Sequence, residues 1–436
     1  MSEGSPTPAT GRNRYADLLR VVAIGGVIYG HWLLVSVTYA HGQLSGVDAL
    51  DHIEWGRWVT WLFQVMPVFF LVGGYVNAQS WMAHHAAGET WTQWVRDRVL
   101  RLLWPTAVFL VVGELAVMVA RGQGAPAGEV AEAGWLAAIQ LWFLPAYMVL
   151  IALTPVLVAA HHRWGLAVPA VMAAAAGLMD IAVRIGPVPH AIGYLNYVFV
   201  WGCIHQWGFG WQDRTLTSPR WRIYVLAAAG AALLAGLLAS RAFRVDMVGS
   251  GNTNPPSIAL LALAAVQSGL VLAAEPRVSG LLSGECAWRW IRRLNAQVMN
   301  AYLWHFVPVI VIVVAFYPTG VLPQPVIGSV QWWELRLAWC ALLTVVLVPL
   351  VLGVTLAERP MLRLPDGLGR PGRWSPVLLL AGIASAGAGL SKLAIGGFLA
   401  GGSVPVLALA LCALGLVATL FTGRARAIRQ RRGRAG

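Results

Sequence analysis

The chain has 436 residues, of which 58% are hydrophobic and only 11% charged, and its mean hydropathy is +0.67. A chain this apolar is not a water-soluble globule, and without period-2 alternation its membrane spans are helices and not barrel strands. The net charge of +13 sits between apolar runs, so it is a topology signal and not a nucleic-acid footprint.

Apolar runs able to cross about 30 Å of hydrocarbon, at about 1.5 Å per residue, predict ten spans. They are 17–40, 58–81, 101–120, 135–160, 165–184, 191–210, 222–240, 257–274, 296–317 and 333–357. Two Gly- and Ala-rich runs, 376–398 and 400–422, predict two more, with a turn between Gly396 and Gly402. The chain thus divides into an N-terminal segment 1–14, a transmembrane core 15–362, an additional helix pair 363–423 and a basic tail 424–436.

With the N-terminus in the cytoplasm, all but seven of the 31 basic residues fall on the inner side. The positive-inside rule then places both termini in the cytoplasm. The polar start "MSEGSPTPATGRNR" enters the first span without the pattern of a removable signal peptide. The tail "GRARAIRQRRGRAG" reads as a solvated stop-transfer flank that could also touch anionic headgroups. Thirty Arg against one Lys, with abundant Ala and Gly, fits a GC-rich bacterial genome and hence a bacterial cytoplasmic membrane.

Cys203, Cys286, Cys340 and Cys412 lack Cys-x-x-Cys spacing and read as packing residues. No His-Glu-x-x-His and no Gly-rich phosphate loop with its Lys is present, so zinc-hydrolase and P-loop chemistry drop out and no metal site is expected.

The first span, "LLRVVAIGGVIYGHWLLVSV", keeps Arg20 and His31. Eleven positions apart, they lie close to three helical turns from one another, on one stripe and about 16 Å apart along the axis. Arg20 lies near the cytoplasmic entrance, either as a snorkelling flank or as a partner for phosphate or carboxylate. Asp17, three residues earlier, is placed to hold its guanidinium. His31 lies past mid-membrane, where an ionisable residue must be hydrogen-bonded, paired or set against a wet cavity, and a neutral imidazole there can accept a proton from a hydroxyl.

The segment "RYADLLRVVAIGGVIYGHW" resembles the first helix of the acyltransferase-3 family of membrane acyltransferases, whose signature is an Arg followed by a His. "MPVFFLVGGYV" resembles the second-helix motif, "VRDRVLRLLWP" the basic segment with Arg-x-x-Arg at Arg98 and Arg101, and "LWFLPAYMVL" the fourth helix. "AYLWHFVPVI" and "LAERPML" resemble the penultimate helix and the closing Glu-Arg-Pro, so the resemblance runs over residues 12–362 in the family's order. Gly73 and Gly74 depart from the Ser-Gly usual in the second motif, the last two spans lie beyond the ten-helix core, and no esterase-like domain follows.

The resemblance implies an all-α polytopic protein: a ten-helix acyltransferase core plus two C-terminal helices. It implies O-acyl transfer from cytoplasmic acyl-CoA, commonly acetyl-CoA, to a hydroxyl of a cell-envelope glycan, a glycolipid or a secreted metabolite. Acyl-CoA is then a co-substrate, with no permanently bound cofactor. Arg20, Arg98 and Arg101 would meet the anionic donor, whereas a solvated flank explains Arg96 equally well. His31 would be catalytic, either as general base or as acyl carrier.

Other polar positions are supporting candidates. His305 in "YLWHF" is either a catalytic partner or a structural histidine, and Glu358 beside Arg359 reads as an ion pair at a helix end. Asp180 with Arg184 is a helix-face pair or part of an acceptor mouth, and Trp142 is an interfacial anchor or a ring that stacks on a sugar. The pairs His84-His85 and His161-His162 read as solvated. The rival class is a twelve-span secondary transporter, which would show two similar halves and a long central inner loop. Neither feature is present in the sequence.

Overall fold

The computed structural model describes residues 13–186, 189–249, 251–358 and 372–422. The chain opens with α1 (Arg14–Leu34), a hairpin of β1 (Val35–Ala40) and β2 (Gln43–Asp48), then α2 (Gly56–Phe63), α3 (Met66–Ala86) and α4 (Trp91–Gly122). There follow α5 (Ala127–Ala138), α6 (Phe143–Trp164), α7 (Ala167–Ile185), α8 (Asn196–Gln212), α9 (Trp221–Ala239) and α10 (Ile258–Leu281). The last helices are α11 (Glu285–Trp304), α12 (Val307–Phe316), α13 (Val330–Glu358), α14 (Ser375–Gly396) and α15 (Val406–Phe421).

Nine helical stretches among the described residues are long and apolar enough to cross a bilayer, and α11 with α12 makes a tenth, bent by 51°. The protein is an all-α polytopic membrane protein. The sixth and twelfth predicted spans are the 17-residue α8 and the 16-residue α15, which at about 1.5 Å per residue reach only about 24 to 26 Å.

Three expectations change in detail. The first span does not run to residue 40: α1 stops at Leu34, and the stretch from Val35 to Thr38, in which Val35, Val37 and Thr38 are β-branched, pairs with Ser45–Asp48 instead. His41 and Gly42 close that hairpin with φ of 53° and 79°, the positive pair a two-residue turn demands. The third span starts ten residues early, at Trp91, so Arg96, Arg98 and Arg101 lie on helical turns and not in a loop. The ninth span breaks after Trp304, because Pro308 in the first turn of α12 has no N–H to return to the Trp304 carbonyl.

The core is built around α8, which is buried from Val200 to Trp211. It crosses α3 so closely that a Cβ on Gly74 would stand 2.0 Å from the His205 carbonyl oxygen, and one on Gly208 2.2 Å from that of Leu71. Small residues let the two backbones meet, as membrane helices require. The closing pair α14 and α15 rests on α4, α5 and α6, with the buried Phe398 ring 5.9 Å from that of Phe109.

Candidate active site

The last turn of α1 and the break between α11 and α12 bring the two intramembrane histidines of the sequence reading together. His31 Nδ1 and His305 Nε2 are 2.9 Å apart, and the rings stack with centroids 5.1 Å apart and 17° between planes. Phe306 stacks on the His31 ring at 5.1 Å. His305 Nδ1 lies 2.7 Å from the carbonyl oxygen of Tyr302.

A carbonyl only accepts, so His305 Nδ1 carries the proton, and in a neutral imidazole its Nε2 is then the acceptor. His31 Nδ1 must donate to it, which leaves the lone pair on His31 Nε2. This tautomer follows from the hydrogen-bond partners. Among the described residues Nε2 makes no hydrogen bond, and His31 is half-buried where His305 is fully buried.

The pair is held from several sides. The Trp32 indole donates to the His305 carbonyl at 2.8 Å, the Tyr302 hydroxyl donates to the Gln140 carbonyl at 2.5 Å, and the Gln140 amide donates to Leu303 at 3.0 Å. Buried Arg336 of α13 donates to the Trp32 and Val35 carbonyls at 3.3 and 3.2 Å and to Ser36 Oγ, and lies over the Trp332 ring. A guanidinium thus satisfies carbonyls that the end of α1 leaves open.

The other end of the stripe is a cluster of arginines. Arg98 lies within electrostatic range of Arg20, Arg101 and Tyr147. Its guanidinium stacks over Trp94 at 5.3 Å and donates to Asn77 Oδ1 at 2.9 Å. Asn77 Nδ2 in turn donates to His205 Nε2 at 3.2 Å, and both Asn77 and His205 are fully buried. Arg20 lies over the Phe69 ring at 5.9 Å, and Arg101 is exposed.

None of these three arginines forms an ion pair among the described residues. Asp17 is not the partner of Arg20 that the sequence reading expected: its Oδ1 instead accepts from the Asn295 amide of α11 at 2.7 Å. Arg96, by contrast, pairs with Asp97 at 2.8 Å.

An aromatic wall joins the two ends. Phe69, under Arg20, meets Phe143 at 5.0 Å and Tyr147 at 5.8 Å; Phe143 meets Tyr302 at 5.5 Å; and Tyr302 meets His305 at 6.1 Å. A chain molecule with an anionic end at the arginines and a reactive end at His31 Nε2 would run along it.

The remaining candidates lie elsewhere. Glu358 is buried with Oε2 accepting from Asn300 at 3.0 Å, while Arg359 and Pro360 of its motif, like the basic tail, lie outside the described residues. Asp180 is occupied on both oxygens, by the Asn196 amide at 3.0 Å and the Ile258 N–H at 2.6 Å. Trp142 packs on Tyr197 and Trp201 at 6.2 Å each. His161 is not solvated but buried between Gln206 and Asp213 at 3.0 Å each. No group of three or more metal-ligating side chains occurs among the described residues.

Asn77, His205, Tyr302, Gln140 and Arg336 escaped the sequence reading. The polar ones were detectable as polar groups within spans, which are functional candidates by default; the rest depend on where the helices cross.

The family model described as "Acyltransferase domain" matches residues 13–357. No curated protein and no solved structure matches the chain. The matched range contains α1, with Arg20 and His31, and runs to the last turn of α13. The chain belongs to the acyltransferase-3 family and is a membrane acyltransferase.

Proposed function

We propose that this protein is an O-acyltransferase of a bacterial cytoplasmic membrane that moves an acyl group, acetyl in the simplest case, from cytoplasmic acyl-CoA to an acceptor hydroxyl. The acceptor is a cell-envelope glycan, a glycolipid or a secreted metabolite. The observation that carries the reading is the tautomer of the histidine pair, which leaves a basic nitrogen at the end of a wall that begins among three arginines without carboxylate partners among the described residues.

In the reaction, His31 Nε2 takes the proton of the acceptor hydroxyl as its oxygen attacks the thioester carbonyl. The C–S bond breaks, and the CoA thiolate leaves and is protonated. The imidazolium formed on His31 keeps donating through Nδ1 to His305, which holds the ring in place as the orienting member of a catalytic triad does. Arg20, Arg98 and Arg101 bind the diphosphate and 3′-phosphate of the donor. The excess of basic residues on one side supports cytoplasmic termini and entry of the donor from that side.

The test is transfer of radiolabelled acetyl from acetyl-CoA to glycan and lipid fractions of membranes carrying the wild type, His31→Ala or Arg20→Ala at matched protein levels. Label that needs His31 is expected, and the labelled fraction names the acceptor. Equal label with His31→Ala overturns the catalytic role. Label retained on the protein after a chase without acceptor would replace the general-base step by an acyl-histidine.

A further inference from the structure

The wall between the arginines and the histidines holds a tyrosine hydroxyl without a hydrogen-bond partner among the described residues. The fully buried tyrosines Tyr15 and Tyr302 donate their hydroxyls to the Val271 and Gln140 carbonyls, each at 2.5 Å. Tyr147 does not. Its ring packs on Phe69, Phe70 and Phe143 at 5.8, 6.0 and 5.3 Å, but its hydroxyl makes no hydrogen bond among the described residues, and the side chain is only half-buried.

The facing helix makes room for it. A Cβ on Gly73 would lie 2.9 Å from Tyr147 Cε2 and 3.1 Å from the hydroxyl oxygen, so the phenol stands where residue 73 has no side chain. Arg98 is within electrostatic range on one side, and Phe143 continues to Tyr302 and His305 on the other.

A phenol set among apolar rings recognises a polar group that would otherwise be stranded there. Between its phosphates and its thioester, an acyl-CoA donor carries amides. We propose that the Tyr147 hydroxyl donates to an amide carbonyl of the donor's arm, which makes Tyr147 a binding residue that sets the donor's depth between the arginines and His31. The proposal rests on the acyl-CoA reading above.

The test is steady-state transfer with acetyl-CoA varied, together with equilibrium binding of CoA, for the wild type, Tyr147→Phe and Gly73→Ser. Loss of one neutral hydrogen bond predicts a KM for acetyl-CoA raised about three- to tenfold in Tyr147→Phe, with CoA affinity reduced in step and kcat within about twofold. Gly73→Ser is expected to raise KM as well, by displacing the ring with the hydroxyl still present. A KM unchanged in both variants overturns the role of Tyr147 while leaving the donor reading intact. Equal losses in kcat and thermal stability without a change in CoA affinity also overturn it, as the mark of a packing role. A wild type that neither binds CoA nor uses acetyl-CoA overturns the donor reading, and this proposal with it.

Discussion

The two ends of the Arg20–His31 stripe are built on opposite plans. At the histidine end the polar groups hold one another: His305 bonds at both ring nitrogens and at its carbonyl, and Arg336 donates to the carbonyls at the end of α1. At the arginine end three guanidiniums gather with no carboxylate among the described residues to neutralise them, and Arg98 is oriented by a neutral amide instead. Groups that must act on a bond are fixed in advance, whereas groups that bind an anion are left for the anion to pair. A carboxylate beside Arg98 would have competed with the ligand; Asn77 aims the guanidinium without cancelling its charge.

The contrast predicts different kinetic signatures. His31→Ala should fall furthest, by about 10²- to 10⁴-fold in kcat, the usual contribution of a general base, with CoA binding preserved. His305→Ala should cost on the order of 10²-fold, because the His31 Nδ1 proton loses its acceptor and the free tautomer no longer presents Nε2. His305→Gln, whose carbonyl can accept that proton, should recover part of the loss. If His305→Ala instead raised KM for acetyl-CoA and left kcat alone, the division between the two ends would be wrong.

At the other end the loss should appear in KM. Arg98→Ala removes a charge-assisted contact worth about 1.5–3 kcal/mol, or about 10- to 150-fold in KM for acyl-CoA, with Lys a poor substitute at a stacked, directional site. Asn77→Ala leaves the charge but frees its direction, and a neutral hydrogen bond of about 0.5–1.5 kcal/mol corresponds to about 2- to 10-fold. A change in kcat greater than that in KM for either variant would move Arg98 from binding to chemistry.

Much of the architecture was legible because the bilayer enforces it: a predicted apolar run overlaps each of the nine described stretches long enough to cross and the bent pair α11–α12. What misled was local. Residues 35–40 are as apolar as the span before them, and only their β-branching marks the hairpin. Arg20, Arg98 and Arg101 were identifiable by type, and the gathering of Arg20 and Arg101 around Arg98 was not, because it depends on how α1 is set against α4. The His31–His305 bond joins residues 274 positions apart. No periodicity encodes such a contact; it arises from a proline-induced break that turns His305 toward α1.

Asp180 offers the smallest effect on turnover and the sharpest control. Its two oxygens join α7 to α8 through Asn196 and to the first residue of α10 through the Ile258 N–H, so neither is free for an acceptor hydroxyl. An amide in its place has one oxygen where the carboxylate has two, so its NH₂ would face one of the two donors. Asp180→Asn should therefore lower thermal stability by the loss of one charge-assisted bond, about 1.5–3 kcal/mol, while kcat and the KM for acetyl-CoA and for the acceptor stay within about twofold of wild type. Stability falling without any kinetic change would identify the carboxylate as a brace between helices. A raised acceptor KM in protein of wild-type stability would return Asp180 to the acceptor mouth, and would give the molecule a third functional end that the arginine–histidine stripe does not contain.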